Sequence, residues 1–401
     1  MAGALTGLKV VELGEMVPAA YAAKLLADAG AEVIKVEPPG TGDPARRRGP
    51  FPGATPHPER SGLFLFLNTN KLGVTLDVAR PEGFDLLLRL AAQADVLIHN
   101  VAPPVMDRIG LSHARLSEAN PRLVMTTIAP FGLSGPCRNW RAEDFTLWSA
   151  GGAAYLNGWP GRPDMPPLKT FGHQAGLQTG AHAALATMAA LVGRLRGAPG
   201  QHVEVSGQEV IAAILEMNFA YWPYAGLVAA RYGQRPIQPL DFLECRDGWI
   251  FLCCVEEHQW RAFVEVMGSP EWAGEEIFSD RLKRAAHWDA LKPLIEPWVR
   301  EHAVEELYRK AQARRIPFAP VSTMGTLLGS DHLKARGFFV EVRHPEAGAL
   351  KHPGPPARYS RTPWELRMPA PALGQHNSEV YGTRLGLPAS RLRDLAQAGA
   401  I

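Results

Sequence analysis

The 401-residue chain has little cysteine and no long apolar run. Its four cysteines, Cys137, Cys245, Cys253 and Cys254, form no CxxC pair and share no metal-type spacing with histidine. A disulfide framework and a cysteine-based metal site are thereby excluded. No metal is expected, and the expected setting is the reducing cytoplasm. No stretch approaches the roughly 20 apolar residues of a membrane helix. The start, "MAGALTGLKVVELGE", lacks the basic and apolar regions of a signal peptide. Charge of one sign is missing too: 42 basic and 40 acidic residues leave a net +2, which gives no field for nucleic acid or a membrane surface. P-loop, HExxH and GxSxG motifs are absent, as is any repeat of 20–50 residues. A last absence is local: between Met165 and Gln201 there is no Asp or Glu.

What is present alternates. "LKVVEL" (residues 8–13), "AEVIKVE" (31–37), "GVTLDV" (73–78), "DVLIHN" (95–100), "RLVMTTI" (122–128) and "GQHVEVS" (200–206) are short β-branched runs, hence strands. Helical segments lie between them: the Ala/Leu-rich residues 19–30, closed by Gly30; residues 81–94, opened by proline and early acids; and the Ala-rich 176–197. Strand, helix, strand repeated predicts βαβ units and a largely parallel sheet, with ligands gathering at the C-terminal ends of the strands. From about residue 224 the texture changes to a turn and hairpin region, "RPIQPLDFLECRDGWIFLCC", then amphipathic helices, then "IPFAPV" (316–321). The Pro-rich tail is too apolar for a free linker. The expected organisation is α/β. A large Rossmann-like unit is built from residues 1–224 and 330–401, with the tail packed back onto it. A smaller α+β domain spans 225–329.

Two segments invite chemistry. "PPGTGDPARRRGP" (38–50) resembles a glycine phosphate loop, but prolines precede it and no helix opens directly, so a dinucleotide loop is rejected. Its run Arg46, Arg47, Arg48 is either a solvated loop or a clamp on phosphate. "NWRAEDFTLWSAGG" (139–152) sets Glu143 and Asp144 before an apolar run and a glycine pair. They are either a helix cap or working carboxylates. Glu15, at the end of the first strand, is a third acid where ligands approach, or a solvent-facing loop acid. His173 is structural or an acid/base group.

Several segments in order, "GLKVVELG…AAYAAKLLADAGAEVIKVEPPGTGD", "NTNKLGVTLD", "ADVLIHN…MDRIGL", "NPRLVMTTIAPFGLSGP", "GQHVEV", "IPFAPV" and "PALGQH", resemble the class III CoA-transferases, a family that includes formyl-CoA and carnitine CoA-transferases and α-methylacyl-CoA racemases. The resemblance covers nearly the whole chain. It implies a Rossmann-like large domain, a small domain, and two chains interlocked as a homodimer. It also implies coenzyme A or acyl-CoA as substrate, with a carboxylic acid as the other reactant. By position it assigns Met16 and Val17 to the adenine side, Asn70 and Lys71 to the nucleotide turn, Asn100 and Val101 to the loop after a strand, and Arg108 and Arg141 to phosphate contacts. This sequence departs from the pattern at His99, where glutamate is usual, at "VAPP", and at Pro38, where some relatives carry arginine. The largest departure falls on the family's nucleophilic aspartate, whose place is taken by Gly176. Glu143 stands where the racemase branch carries a proton-transferring histidine, and Asp144 matches the adjacent acid. The expected working carboxylate is therefore in the "AED" segment, Glu143 or Asp144, with Glu15 as the other candidate. CoA transfer is the expected reaction. Proton transfer at the α-carbon of an acyl-CoA, or CoA binding without catalysis, are the alternatives.

Overall fold

A computed structural model describes residues 2–160, 162, 164–229, 231 and 237–401. Six parallel strands form the central sheet: β1 (Lys9–Leu13), β2 (Glu32–Glu37), β3 (Lys71–Thr75), β4 (Val96–His99), β5 (Val124–Ala129) and β6 (His202–Ser206). Their order is β3-β2-β1-β4-β5-β6. This is the doubly wound order of dinucleotide folds, which reverses direction between β1 and β4. The helices that matter for the site are α1 (Pro18–Asp28), α2 (Pro81–Ala92), α3 (Pro103–Ile109), α4 (Asp144–Ala150), α5 (Gln174–Leu195) and α6 (Gly207–Ala213).

The sheet is covered on both faces, so its strands carry apolar residues on both sides, interrupted by buried charges that pair inside the sheet. On one face Leu86, Leu87, Leu90 and Ala91 of α2 pack with Val36, Val74, Leu97 and Met125. On the other, α1 and α5 meet through small residues: Ala19, Ala22, Ala23 and Ala27 against Ala183, Ala184 and Ala190. Alanine faces let two helices and a sheet approach closely. At Gly180 the approach is closer still, since a Cβ there would lie 2.6 Å from the Pro18 carbonyl oxygen.

The third strand begins two residues before the expected one, at Lys71. A lysine reads as a poor strand residue, but the Lys71 ammonium is fully buried and bound. It donates to Glu12 Oε2 (2.7 Å), the Ala20 carbonyl (2.8 Å) and Asn68 Oδ1 (2.9 Å). The Pro-rich tail packs on this unit. Ala370 joins Ala45, Phe64 and Leu65, and Asn70 binds the Arg367 amide (2.7 Å) and the Glu365 carbonyl (3.1 Å).

The chain divides into two units, Met1–Asn157 with Pro167–Ala229 and Gly337–Ile401, and Gly158–Pro166 with Ala230–Arg336. The texture change had placed the boundaries at 224/225 and 329/330. In the second unit the strands Leu240–Cys245 and Gly248–Cys253 form the hairpin, and Ala319–Pro320 adds a short third strand. Arg235 and Pro236, which open the expected turn segment, lie outside the described residues. The core of this unit holds Ile250, Phe263, Leu291, Ile295 and Phe318. Among the described residues, no helix is long and apolar enough to cross a membrane, and no group of three or more His, Cys, Asp or Glu is placed to hold a metal ion.

Candidate active site

A cavity of ≈ 490 Å³ opens at the C-terminal ends of β1, β4 and β5, at the point where the strand order reverses. Glu15, Met16 and Val17 form one wall and Asn100 and Pro103 another. The segment 139–144 forms a third, with His173, Gly176 and Thr179 beside it. The sequence reading scattered Glu15, Glu143 and Asp144 over 130 positions of chain; the fold lines one cavity with all three.

The Glu15 wall is set from below. Asn100 clamps the Glu15 backbone in both directions: its Oδ1 accepts from the Glu15 amide and its Nδ2 donates to the Glu15 carbonyl, each at 2.9 Å. Met16 has φ 57°, a left-handed conformation that costs energy for a side chain of its size. Its amide is held by Asp43 Oδ1 at 2.9 Å. Asp43 is in turn paired with Lys35 at 2.9 Å, and Lys35 with Glu12 at 2.9 Å. Glu12 also takes Lys71, so two ammonium groups and two carboxylates lie stacked inside the sheet, all fully buried. Burial alone would raise the Glu12 carboxyl, but Lys35 and Lys71 hold it below its ordinary value. Burial draws Lys71 down to about 8 against the pull of Glu12. Burial would also lower Lys35, and Asp43 and Glu12 outweigh it, leaving Lys35 raised. Above this ladder the Glu15 carboxyl is pushed up, first by burial and then by the Asp43 charge. A carboxyl raised in this way, in a cleft, fits a proton-holding role.

The opposite wall carries the opening acids. Glu143 occupies the N-cap position of α4 and is exposed; its amide donates to Thr146 Oγ1 at 3.4 Å. Asp144 caps a different helix. Its Oδ1 accepts from the Gly176 amide at 2.8 Å, at the third residue of α5, and its Oδ2 pairs with Lys169 Nζ at 2.8 Å. Lys169 also donates to the carbonyls of Thr170 and Gly172. A Cβ at Gly176 would stand 3.1 Å from the Val17 side chain and 3.6 Å from Asp144 Oδ1. The crowding at this position comes from Val17, and the Asp144 carboxylate is seated by the Gly176 backbone amide at the mouth of α5.

Other assignments fall elsewhere. Asn70 and Lys71 are buried and bound to protein groups, so neither presents a donor to a nucleotide; they tie the tail and the charge ladder instead. Val101 packs against the apolar core beside α2 and is not a cavity wall residue. Arg46 is neither solvated nor a clamp. It is buried against Glu37 (2.7 Å) and Glu59 (2.6 Å), stacks over Phe64 and donates to the Pro371 carbonyl. Arg47 and Arg48 are exposed. Arg141 and His173 line the main cavity. Arg108 lies at the far end of α3, in a second depression of ≈ 390 Å³ shared with Arg80, which precedes α2, and Arg115, on the helix His113–Ala119. Arg115 is braced over the Phe84 ring at 4.0 Å. Asp43 lies in the 38–50 loop, where no local sequence signal sets it apart from a surface acid. No motif marked Lys169, Arg80 or Arg115.

The family model for CoA-transferase family III matches residues 5–377. The chain belongs to that family. Curated relatives include the alpha subunit of succinyl-CoA–L-malate CoA-transferase of Chloroflexus aurantiacus, 29% identical over 395 residues and covering 98% of this chain and 91% of that one. Succinyl-CoA–D-citramalate CoA-transferase of the same organism is 31% identical, covering 96% and 94%. Subunit BbsE of succinyl-CoA:(R)-benzylsuccinate CoA-transferase of Thauera aromatica is 31% identical, covering 98% and 97%. Among solved structures, a CaiB/BaiF family protein from Brucella suis superposes with a TM-score of 0.87 at 28% identity, covering 96% of this chain and all of that one. The family and its named relatives make this chain a CoA-transferase that acts on CoA thioesters.

Proposed function

We propose that the chain moves coenzyme A from an acyl-CoA to a second carboxylic acid, with the thioester in the cavity at the β1/β4 switch point and Asp144 as the working carboxylate. Asp144 attacks the thioester carbonyl; the C–S bond breaks and the CoA thiolate leaves with the electron pair, forming an acyl-aspartyl anhydride. The thiolate then attacks the aspartyl carbonyl, releasing the first acid as carboxylate and leaving CoA on the enzyme. The second acid repeats the sequence in reverse. Glu15 lines the same cavity, and its carboxyl, raised by burial and then by the Asp43 charge, favours holding a proton beside the reacting carbonyl. Arg141, the Lys/Arg residue of the cavity wall, pairs with the incoming carboxylate or a CoA phosphate. Glu143 stands at the same wall as a second acid. The nucleotide end of CoA follows α3 to the depression of Arg80, Arg108 and Arg115, where planar guanidinium groups suit phosphate.

The observation that carries this reading is the Asp144 carboxylate bound to the Gly176 amide, at the place where an aspartate side chain at 176 would begin. Proton transfer at the α-carbon is the less favoured reading, because the reported relatives are named transferases. We also propose an interlocked homodimer. Its support is the family resemblance and the exposure of Phe171 (99%) and Tyr224 (89%), apolar surface that a second chain would cover. Four free cysteines fit a cytoplasmic setting. The test is incubation with labelled acyl-CoAs and a panel of acids. Mass spectrometry reads exchanged thioesters and NMR reads deuterium at the α-carbon. Exchange without deuteration is expected; deuteration without exchange would replace transfer by proton chemistry, and neither would leave a CoA-binding protein.

A further inference from the structure

We infer that Thr127 and His202 are positioning residues, which act through a single-tautomer hydrogen-bond chain crossing three strands to hold the Asn100 clamp under Glu15. The chain begins at His99, the last residue of β4, which is fully buried. His99 Nδ1 accepts from the Val101 amide at 3.3 Å. That nitrogen therefore carries no proton, and the ring proton is on Nε2. Nε2 lies 2.7 Å from Thr127 Oγ1 on the adjacent strand β5, so the imidazole donates and the hydroxyl oxygen accepts. The Thr127 hydroxyl proton is then free to point only onward, to His202 Nε2 on β6 at 2.8 Å. His202 must accept there, which places its own proton on Nδ1. Every donor and acceptor in the chain has one direction.

The consequence reaches the cavity at Asn100. The Val101 amide bond to His99 closes the turn in which Asn100 sits, and the Asn100 carboxamide makes two bonds to the Glu15 backbone. If the hydroxyl at 127 is lost, His99 Nε2–H is left buried without an acceptor. The ring regains a partner only by turning, which breaks the Val101 contact and frees the clamp. The neutral state the chain requires fits the surroundings. Burial, then the neighbouring His202, draws His99 down to about 3. Burial and His113, whose ring stacks at 6.1 Å, lower His202 against the pull of Glu204.

The catalytic consequence rests on the cavity being the site of CoA transfer; the tautomers do not, so the two readings fail separately. The experiment is long-range 15N–1H correlation on the histidine-labelled full-length protein, with H99Q and H202Q assigning the signals. The expected result is His99 protonated on Nε2 and His202 on Nδ1, the less common neutral tautomer. His202 protonated on Nε2 in the unmodified protein would overturn the proposal, whatever the variants do. In turnover, Thr127→Val should lower kcat roughly 10-fold with the KM for acyl-CoA within about 2-fold, and Thr127→Ser should restore it because the hydroxyl returns. A folded Thr127→Val protein with unchanged kcat would also overturn it. If that variant does not fold, the tautomer measurement still decides.

Discussion

Replacing Asp144 with asparagine separates its two uses. The asparagine carbonyl still accepts from the Gly176 amide, now 2.8 Å from Asp144 Oδ1, so the start of α5 stays capped. The ion pair with Lys169 is lost, although Lys169 keeps the Thr170 and Gly172 carbonyls. Both side chains of the pair are about 15% exposed or less. One charge-assisted bond of this kind is worth about 1–3 kcal/mol, and Asp144→Asn should lose that much stability. Lys169→Met breaks the same pair from the other side and should lose a similar amount, while leaving a carboxylate at 144. Activity distinguishes them: Asp144→Asn should fall by roughly 10²-fold or more, the scale for a lost reacting acid, and Lys169→Met by less than about 10-fold. Thermal melts and transfer from a labelled acyl-CoA read the two quantities. Equal loss of activity in the two variants, or full activity in Asp144→Asn, would make the carboxylate a helix cap and refute the assignment. Hydroxylamine trapping during turnover adds a direct check, since an adduct on Glu15 would name a different acid.

Arg108→Ala should weaken CoA binding by about 1–3 kcal/mol in calorimetry, and unchanged affinity would remove the nucleotide end from the depression it shares with Arg80 and Arg115. His99 predicts an acid-side stability slope. Its folded value is about 3 against an ordinary 6.5, so the unfolded chain binds a proton below pH 6.5 that the folded chain refuses until pH 3. Stability should therefore fall with pH across that window, by about 2–3 kcal/mol between pH 6.5 and 4.5. Denaturant titrations of His99→Gln should show that part of the slope missing; an unaltered slope would contradict it. Light scattering should find a dimer with no folded monomer at low concentration, and a stable monomer would end the interlocked proposal.

The sheet was legible because its strands are uniform β-branched runs separated by helices with proline starts, a pattern that periodicity reads directly. Its ends were less so. Lys71 reads as loop until its ammonium is known to meet Glu12, and that pairing joins residues 59 positions apart. The same reason hid Arg46, which looks solvated beside Arg47 and Arg48 and is internal because Glu37 and Glu59 receive it. The site was legible as three separate acids but not as one cavity, since only the strand order brings residues 15 and 144 together. The cap that Asp144 forms does not compete with its proposed catalytic use. The helix it caps is α5, not its own α4, a relation no local motif records.

The Glu15 wall and the 139–144 wall of the cavity differ in how they can change. The Glu15 side is fixed by Asn100, Asp43 and the interior ladder of Glu12, Lys35 and Lys71, so a substitution there propagates into the sheet and is paid in folding. The segment 139–143 is largely exposed, with Trp140 at 63% and Arg141 and Glu143 open to solvent. Divergence in the acid accepted, whether natural or by directed evolution, should therefore collect in that one arm. Libraries confined to residues 139–143 would sample new substrates while Asp144 and the Glu15 wall stay unchanged.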